Sequence, residues 1–383
     1  EIQQYFEKVV EKYDVEKFCR FNQELAHCEY KGGRWHLEMQ DGLKDQADFV
    51  VAATGVLHHP KYPNIPGLAN FQGALMHSAQ WNDRVELDGK RVGVIGNGST
   101  GVQIVSALSG RTKLKHFQRT AQWIMPIENV KYTEEQKEAF RNDPELLKQM
   151  QAPEEYVAAV KAFTDAITDA DSEGVKNIEA ATLANLEASV KDSELKKKLL
   201  PNYMAACKRL IYSPDYYKAI QHPDSELIDD GIECIEAEGV RTKDGVLHEL
   251  DVLVVATGFY ADRFLRPATV IGRDGIDVEE VWARHPTAYM ATSVPGFPNL
   301  AMLNGPTGPV GNFSVIDISE RQWDYIAQLI ELVRSGQYKE VCVSKAAHED
   351  YEVERIAAAK KTIFSSGCDS WYLDSEGVSA AWP

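Results

Sequence analysis

The chain has 383 residues, enough for two or three domains at roughly 100–200 residues each. Hydrophobic residues make up 44% and charged residues 26%, so apolar material suffices for a sizeable core. Lys and Arg number 41 against 58 Asp and Glu, and the net charge of −17 argues against nucleic-acid binding and against adhesion to anionic membranes.

No apolar run approaches the ~18 residues of a membrane helix. The start at Glu1 lacks the basic-then-apolar pattern of a signal peptide. Cys19, Cys28, Cys207, Cys234, Cys342 and Cys368 form no C-x-x-C pair and no tight Cys/His cluster. That pattern argues against a metal site and a disulfide scaffold, and it fits a reducing cytoplasm.

Helical spacing over 2–18 places Tyr5, Val9, Val10 and Tyr13 on one face. Strand-like pieces follow at Phe21–Glu29 and Trp35–Met39, parted by the hairpin signal Gly32-Gly33. Ala47–Ala53, closed by Thr54-Gly55, reads as one buried strand. Pro60, Pro63, Pro66 and Gly67 mark a stiff linker and a first boundary near residue 70. Arg91–Ile95 predicts a strand, Ser99–Leu108 a helix and Leu114–Gln118 the next strand. Residues 133–200 predict a charged helical insertion broken at Pro144 and Pro153. After Tyr216 short strands return, ending in Val252–Ala256 and Thr257-Gly258. Helices are expected over 313–334 and 346–362 around a strand at Tyr338–Val343. Strands alternating with helices give an α/β fold with mainly parallel sheets.

Gly96-Asn97-Gly98-Ser99-Thr100-Gly101 fits G-x-G-x-x-G between a strand (RVGVI) and an amphipathic helix. The first glycine permits the tight turn, the second lets a pyrophosphate approach the backbone, and the third lets helix pack on strand. The helix N-terminus adds free N–H groups and a positive dipole end. An acid about 20 residues on would hold a ribose 2′-hydroxyl. Here Arg119 and Thr120 close the second strand instead, and a guanidinium beside a hydroxyl suits a 2′-phosphate. NADP(H) is therefore the expected dinucleotide.

Phe71-Gln72-Gly73-Ala74-Leu75-Met76-His77-Ser78-Ala79-Gln80-Trp81 matches F-x-G-x-x-x-H-x-x-x-W. The sequence thereby resembles the Baeyer–Villiger monooxygenases, flavoproteins of class B. Trp81 favours them over the N- and S-oxygenating flavin monooxygenases, which usually carry Tyr or Phe there; Asn82 departs from the usual Pro or Asp. The resemblance implies two Rossmann-like dinucleotide-binding domains with a helical insertion. It divides the chain into a partial FAD domain (1–70), the fingerprint linker (71–90), an NADPH domain (91–258) and a returning FAD-domain segment with a tail (259–383). Ala53-Thr54-Gly55 and Ala256-Thr257-Gly258 resemble the family's two interdomain crossings. Cys207-Lys208-Arg209-Leu210 with Tyr216-Tyr217 resembles its K-R segment, which implies Lys208 on the 2′-phosphate and Arg209 as the active-site arginine. Asn304-Gly305-Pro306 through Asn312 resembles the segment near the flavin, and Ser370-Trp371-Tyr372 the tails of hydroxyacetophenone-type members.

The implied activity is FAD- and NADPH-dependent insertion of one oxygen atom from O2 beside a ketone carbonyl, through a C4a-peroxyflavin that Arg209 would stabilise. His77 is implied to act by positioning the domains rather than as a base. The family's own N-terminal G-x-G-x-x-G does not occur upstream of Ala53. The family pattern would put about a hundred residues before Glu1, and this chain alone is expected to hold FAD poorly. Alternatives are N- or S-oxygenation, a non-catalytic NADP(H)-binding protein, and a simple NADP-dependent dehydrogenase.

Overall fold

A computed structural model of the chain describes residues 2–151, 154–308, 314–374 and 376–380. Helix α1 (Ile2–Lys12) is shorter than its periodicity suggests. Asp14 takes a left-handed φ of 52°, and only a 3-10 turn over Glu16–Phe18 follows. No residue of α1 is buried, and Tyr5 and Tyr13 are 63% and 65% exposed, so the apolar face does not join the core.

Strands β1 (Leu25–Lys31) and β2 (Arg34–Met39) form an antiparallel hairpin, turning through Gly32 and Gly33 at φ of 64° and 85°. The first strand starts later than Phe21 because Asn22 is left-handed, with φ 57°. Strand β3 (Lys44–Ala47) extends the sheet from β2. The single buried strand expected over Ala47–Ala53 is instead divided. β3 ends at Ala47, and the half-buried β4 (Val50–Ala52) belongs to another sheet. Asn299 captures the backbone at the break: its Nδ2 donates to the Asp48 carbonyl at 2.8 Å, and its carbonyl accepts from Val50 N–H at 2.9 Å.

The next elements in order are β5 (Ala74–His77), β6 (Arg91–Ile95), α2 (Ser99–Leu108), β7 (Lys113–Phe117) and β8 (Ile124–Met125). β6 and α2 occupy the expected residues, and β7 begins one residue early. The insertion comprises α3 (Glu134–Asn142), α4 (Pro144–Gln151), α5 (Glu154–Thr168), α6 (Glu173–Ser189) and α7 (Ser193–Leu199). Pro144 opens α4, where its missing N–H costs nothing. Pro153 lies outside the described residues. Then follow β9 (Ile211–Tyr212), α8 (Tyr216–Ile220), β10 (Ser225–Ile228), the meander β11 (Ile232–Glu236), β12 (Gly239–Thr242) and β13 (Leu247–Glu249), and β14 (Val252–Val255).

Five of these strands make one parallel sheet in the order β10-β7-β6-β14-β5. Every residue of β14 is buried, because a central parallel strand is covered on both faces. Val92, Val94, Val252 and Val254 pack on α2 and α8, while Ile95, Phe117, Leu253 and Val255 pack with Phe71, Ile235 and Val240. The register places His77, Val255, Ile95, Phe117 and Ile228 in one row at the carboxyl edge.

The remaining strands complete the first half of the molecule. β15 (Thr269–Ile271) pairs in parallel with β1, and β16 (Leu300–Met302) with β4, with α9 (Val278–Val281) between them. Helices α10 (Val315–Arg334) and α11 (Lys345–Ala359) follow; residue 313, the expected helix start, lies outside the described residues. Tyr338–Val343 is not a strand. It is extended chain held at Val341, which accepts from Asn299 N–H at 2.9 Å and donates to Asn299 Oδ1 at 2.8 Å.

The tail folds back so that Cys368 forms a disulfide with Cys207, their Cα atoms 6.4 Å apart. This single bridge is not foreseen by the sequence reading against a disulfide scaffold. The partners lie 161 residues apart in sequence, so no local spacing could reveal them. Among the described residues no helix is long and apolar enough to cross a membrane.

At the other edge of the sheet, Asp251 accepts from Arg91 through the backbone N–H at 2.9 Å and the guanidinium at 2.7 Å. These bonds hold the Asp251 carboxyl down at about 2. A depressed carboxylate contributes stability above its unfolded pKa and loses it as pH falls through the folded one. Stability should therefore fall between about pH 4 and 2. Asp251→Asn is predicted to destabilise by about 1 kcal/mol or less at pH 7, because the pair is partly solvated. Guanidinium unfolding across that pH range should show the difference vanish near pH 2.

Candidate functional site

The turn from β6 into α2 contains three glycines with different reasons to be glycine. Gly96 has φ +106°, and a Cβ there would lie 2.4 Å from the Ala256 carbonyl oxygen. At Gly101 a Cβ would lie 2.0 Å from the Gly96 carbonyl oxygen. Both are fixed by the chain's own packing. Gly98 is not: its φ is −67°, open to any residue, and nothing lies within 4 Å of its missing Cβ. It is the N-cap of α2 and supplies no side-chain cap. The first N–H groups of a helix have no intrahelical acceptor. Open space therefore lies over a positive helix end, with room for an anion to reach the Ser99 and Thr100 backbone.

Residues outside the glycine string brace this turn. Asn97 Nδ2 donates to the Thr120 carbonyl at 2.6 Å and joins the turn to the end of β7. His116, on β7, is fully buried; its Nε2 lies 3.2 Å from the Gly96 carbonyl and its Nδ1 3.2 Å from the Tyr216 hydroxyl. Burial drives its pKa down to about 4, so the ring is neutral, donating from Nε2 and accepting at Nδ1. Motif reading overlooks His116. The signal for it is a lone histidine at an inward position of a buried strand, where a polar group must have partners.

Arg119 and Thr120 lie just past β7. The short parallel pairing of β8 with β9 (Ile124 opposite Ile211) brings the segment 207–210 alongside them. Trp123 and Gln122 reinforce the join: the indole N–H donates to the Tyr203 carbonyl at 2.8 Å, and the Tyr203 hydroxyl to Gln122 at 2.8 Å. Lys208 lays its ammonium 4.5 Å from the centre of the Tyr203 ring. Its pKa is lowered, first by desolvation and further by the Arg119 charge, while Asp369 opposes the shift. Arg119 is exposed and meets Asp369 at 3.4 Å. Arg119 and Lys208 thus share one neighbourhood with Asp369. Arg209 is exposed, and its charge acts on the buried Tyr372 hydroxyl. It makes no ion pair or hydrogen bond among the described residues.

His77 ends β5 and is fully buried. Its Nδ1 accepts from Ala79 N–H at 3.1 Å, and its Nε2 lies 3.1 Å from the Gly258 carbonyl. Burial lowers its pKa. Both ring nitrogens are committed and the ring meets no solvent, so His77 holds the fingerprint segment against the crossing at Gly258. It is not placed to exchange protons with a bound molecule. Gly73 is required by packing, since a Cβ there would sit 2.4 Å from the Asp251 carbonyl oxygen. Phe71 is core and Trp81 is 37% exposed.

The two Ala-Thr-Gly strand ends are built alike. Thr54 Oγ1 donates to the Phe264 carbonyl and Thr257 Oγ1 to the Lys61 carbonyl, each at 2.6 Å. Gly55 and Gly258 both take positive φ, at 71° and 82°. Each threonine clamps the chain that crosses from the other half. Beyond β16, Asn304 donates its N–H to Gln322 and its Nδ2 to Ser319, both at 2.8 Å. Asn312 lies outside the described residues. Among the described residues no three His, Cys, Asp or Glu side chains group to hold a metal.

Residues 1–151 match the family model described as flavin-binding monooxygenase-like. The whole chain is 41% identical over 384 residues to an uncharacterised monooxygenase of Mycobacterium tuberculosis, covering 77% of that protein. It is 32% identical over 380 residues to a Baeyer–Villiger monooxygenase of Pseudomonas aeruginosa, with 97% of this chain and 71% of that protein covered. In structure it is similar to the cyclohexanone monooxygenase of Rhodococcus sp. Phi1 bound to NADP+. That likeness has a TM-score of 0.86 at 30% identity and spans 99% of this chain and 78% of the other.

The glycine assignments predict different fates for two alanine variants. Gly101→Ala should lose roughly 2 kcal/mol or more, because the methyl meets a carbonyl in a packed turn. Gly98→Ala should unfold within about 0.5 kcal/mol of the parent, since neither φ nor space opposes it. Chemical denaturation midpoints of the two variants check this.

Proposed function

The chain belongs to the Baeyer–Villiger-type flavin-binding monooxygenases, and from that premise we propose that it uses NADPH and FAD to insert one oxygen atom from O2 beside a ketone carbonyl, giving an ester or lactone. The observation that carries the proposal is Gly98, a glycine that the chain itself does not need, over an open helix N-terminus at the carboxyl edge of a parallel sheet. Dinucleotides bind at that edge in open α/β folds.

When bound, NADPH supplies the hydride and the reduced flavin supplies activated oxygen; the chain's own residues bind, orient and balance charge. Gly96, Gly98 and Gly101 shape the turn, and the N–H groups of Ser99 and Thr100 receive the pyrophosphate. Arg119, Thr120 and Lys208 would hold the ribose 2′-phosphate. Lys208 is half-buried and desolvation disfavours its charged form, which a dianionic phosphate beside it would favour again. Thr54-Gly55 and Asn304–Pro306, at the carboxyl ends of β4 and β16, are the residues that would meet the flavin. Arg209, which makes no ion pair or hydrogen bond among the described residues, would stabilise the negative charge that develops on the carbonyl oxygen when its carbon is attacked. His77 is a positioning residue that keeps the fingerprint segment seated on the crossing at Gly258.

Incubation with cyclohexanone, NADPH, saturating FAD and 18O2 should yield a lactone carrying one labelled oxygen. NADPH oxidation with sulfoxide from a thioether, and no lactone, would instead mark a heteroatom oxygenase. Arg209→Ala should abolish lactone formation with NADP+ affinity unchanged. Arg119→Ala and Lys208→Ala should each weaken NADP+ binding about tenfold, the scale of a charge-assisted hydrogen bond, while leaving NAD+ unaffected.

A further inference from the structure

The disulfide and the basic pair at the nucleotide edge are neighbours in sequence on both sides. Cys207 immediately precedes Lys208, and Cys368 immediately precedes Asp369. Joining the two sulfurs therefore brings a carboxylate to the Arg119 guanidinium, within electrostatic reach of Lys208. The structure shows the outcome: Asp369 lies 3.4 Å from Arg119 and acts electrostatically on Lys208. The same tail is anchored just beyond, where Tyr372 is buried against Phe364 with ring centroids 4.8 Å apart. Ser366 Oγ lies 3.2 Å from Cys207 Sγ and closes the segment from the other side. A carboxylate paired with that arginine offers anionic acceptor oxygens to the same donors a phosphate monoester would use, with one negative charge in place of two.

We propose that Asp369, held in place by the Cys207–Cys368 disulfide, is an internal competitor for the 2′-phosphate of NADP(H), and that reduction of the disulfide releases it. The proposal rests on the assignment of Arg119 and Lys208 to that phosphate. The redox step is thiol–disulfide exchange: a dithiol donates two electrons and two protons, the S–S bond breaks to two thiols, and the dithiol becomes its own disulfide. The freed tail segment no longer fixes Asp369 over the pair, and the guanidinium and ammonium face the nucleotide unopposed. Asp369 and Arg119 are 86% and 88% exposed, so the competition is modest. The effect falls on NADP(H) and not on NAD(H), which carries no 2′-phosphate. Asp369 thus sets cofactor preference as well as affinity.

The test is calorimetric titration of NADP+ and NAD+ into the chain, oxidised and dithiol-reduced, with thiol counts before each run. Asp369→Asn should tighten NADP+ about two- to fivefold, the range of an exposed ion pair, and leave NAD+ unchanged. Reduction should tighten NADP+ similarly in the parent and add nothing in Asp369→Asn. Cys368→Ser should reproduce the reduced state, including where the dithiol does not reach the buried pair. Six free thiols in the oxidised chain would overturn the proposal. So would an unchanged NADP+ affinity in Asp369→Asn, or an equal response to reduction in parent and Asp369→Asn. If Arg119→Ala still weakens NADP+ in those cases, the 2′-phosphate assignment survives and only the latch fails. If neither Arg119→Ala nor Lys208→Ala weakens NADP+, the assignment itself fails.

Discussion

The approach of Gly101 to the Gly96 carbonyl is the contact on which the site depends. It sets the first turn of α2 directly on the end of β6, closer than any side chain would allow. Given that contact, the N-terminal N–H groups of α2 open onto the carboxyl edge of the sheet. His116 then fixes the Gly96 carbonyl from below, and Asn97 ties the turn sideways to Thr120. A neutral imidazole suits this place because it donates once and accepts once without bringing charge into the core. The site is thus a rigid turn with donors on one side and an apolar sheet on the other.

The register of the five-stranded sheet carries this local arrangement outward. His77, Val255, Ile95 and Phe117 stand in one row, so the fingerprint histidine, the crossing at Gly258, the glycine turn and Arg119 all emerge at the same edge. Thr257 Oγ1 on the Lys61 carbonyl and Lys61 N–H on the Gly258 carbonyl connect that edge to the other half of the molecule. Movement of one half would be felt by the other through these few hydrogen bonds.

Much of the nucleotide edge was legible in the sequence. β6 and α2 lie where Arg91–Ile95 and Ser99–Leu108 place them, because strand pattern, glycine spacing and helix amphipathicity agree there. Legibility failed where long-range partners decide. Ala47–Ala53 is apolar throughout, yet Asn299 takes hold of the backbone at Asp48 and divides it. Tyr338–Val343 has strand composition, but only Val341 exchanges hydrogen bonds with Asn299, so no ladder forms. The face of α1 has helical periodicity without a partner among the described residues. The Cys207–Cys368 pair and the placing of Asp369 depend on the returning tail, which no local pattern encodes. His116 was visible only as an anomaly, a histidine at an inward position of β7 beside Leu114 and Phe117.

A crystal structure of the chain with NADP+ tests the central claim most directly. The pyrophosphate should lie over Gly98, within hydrogen-bond reach of the Ser99 and Thr100 N–H groups, and the 2′-phosphate should lie between Arg119 and Lys208. A nucleotide bound elsewhere, or one that leaves the space over Gly98 empty, would contradict the account.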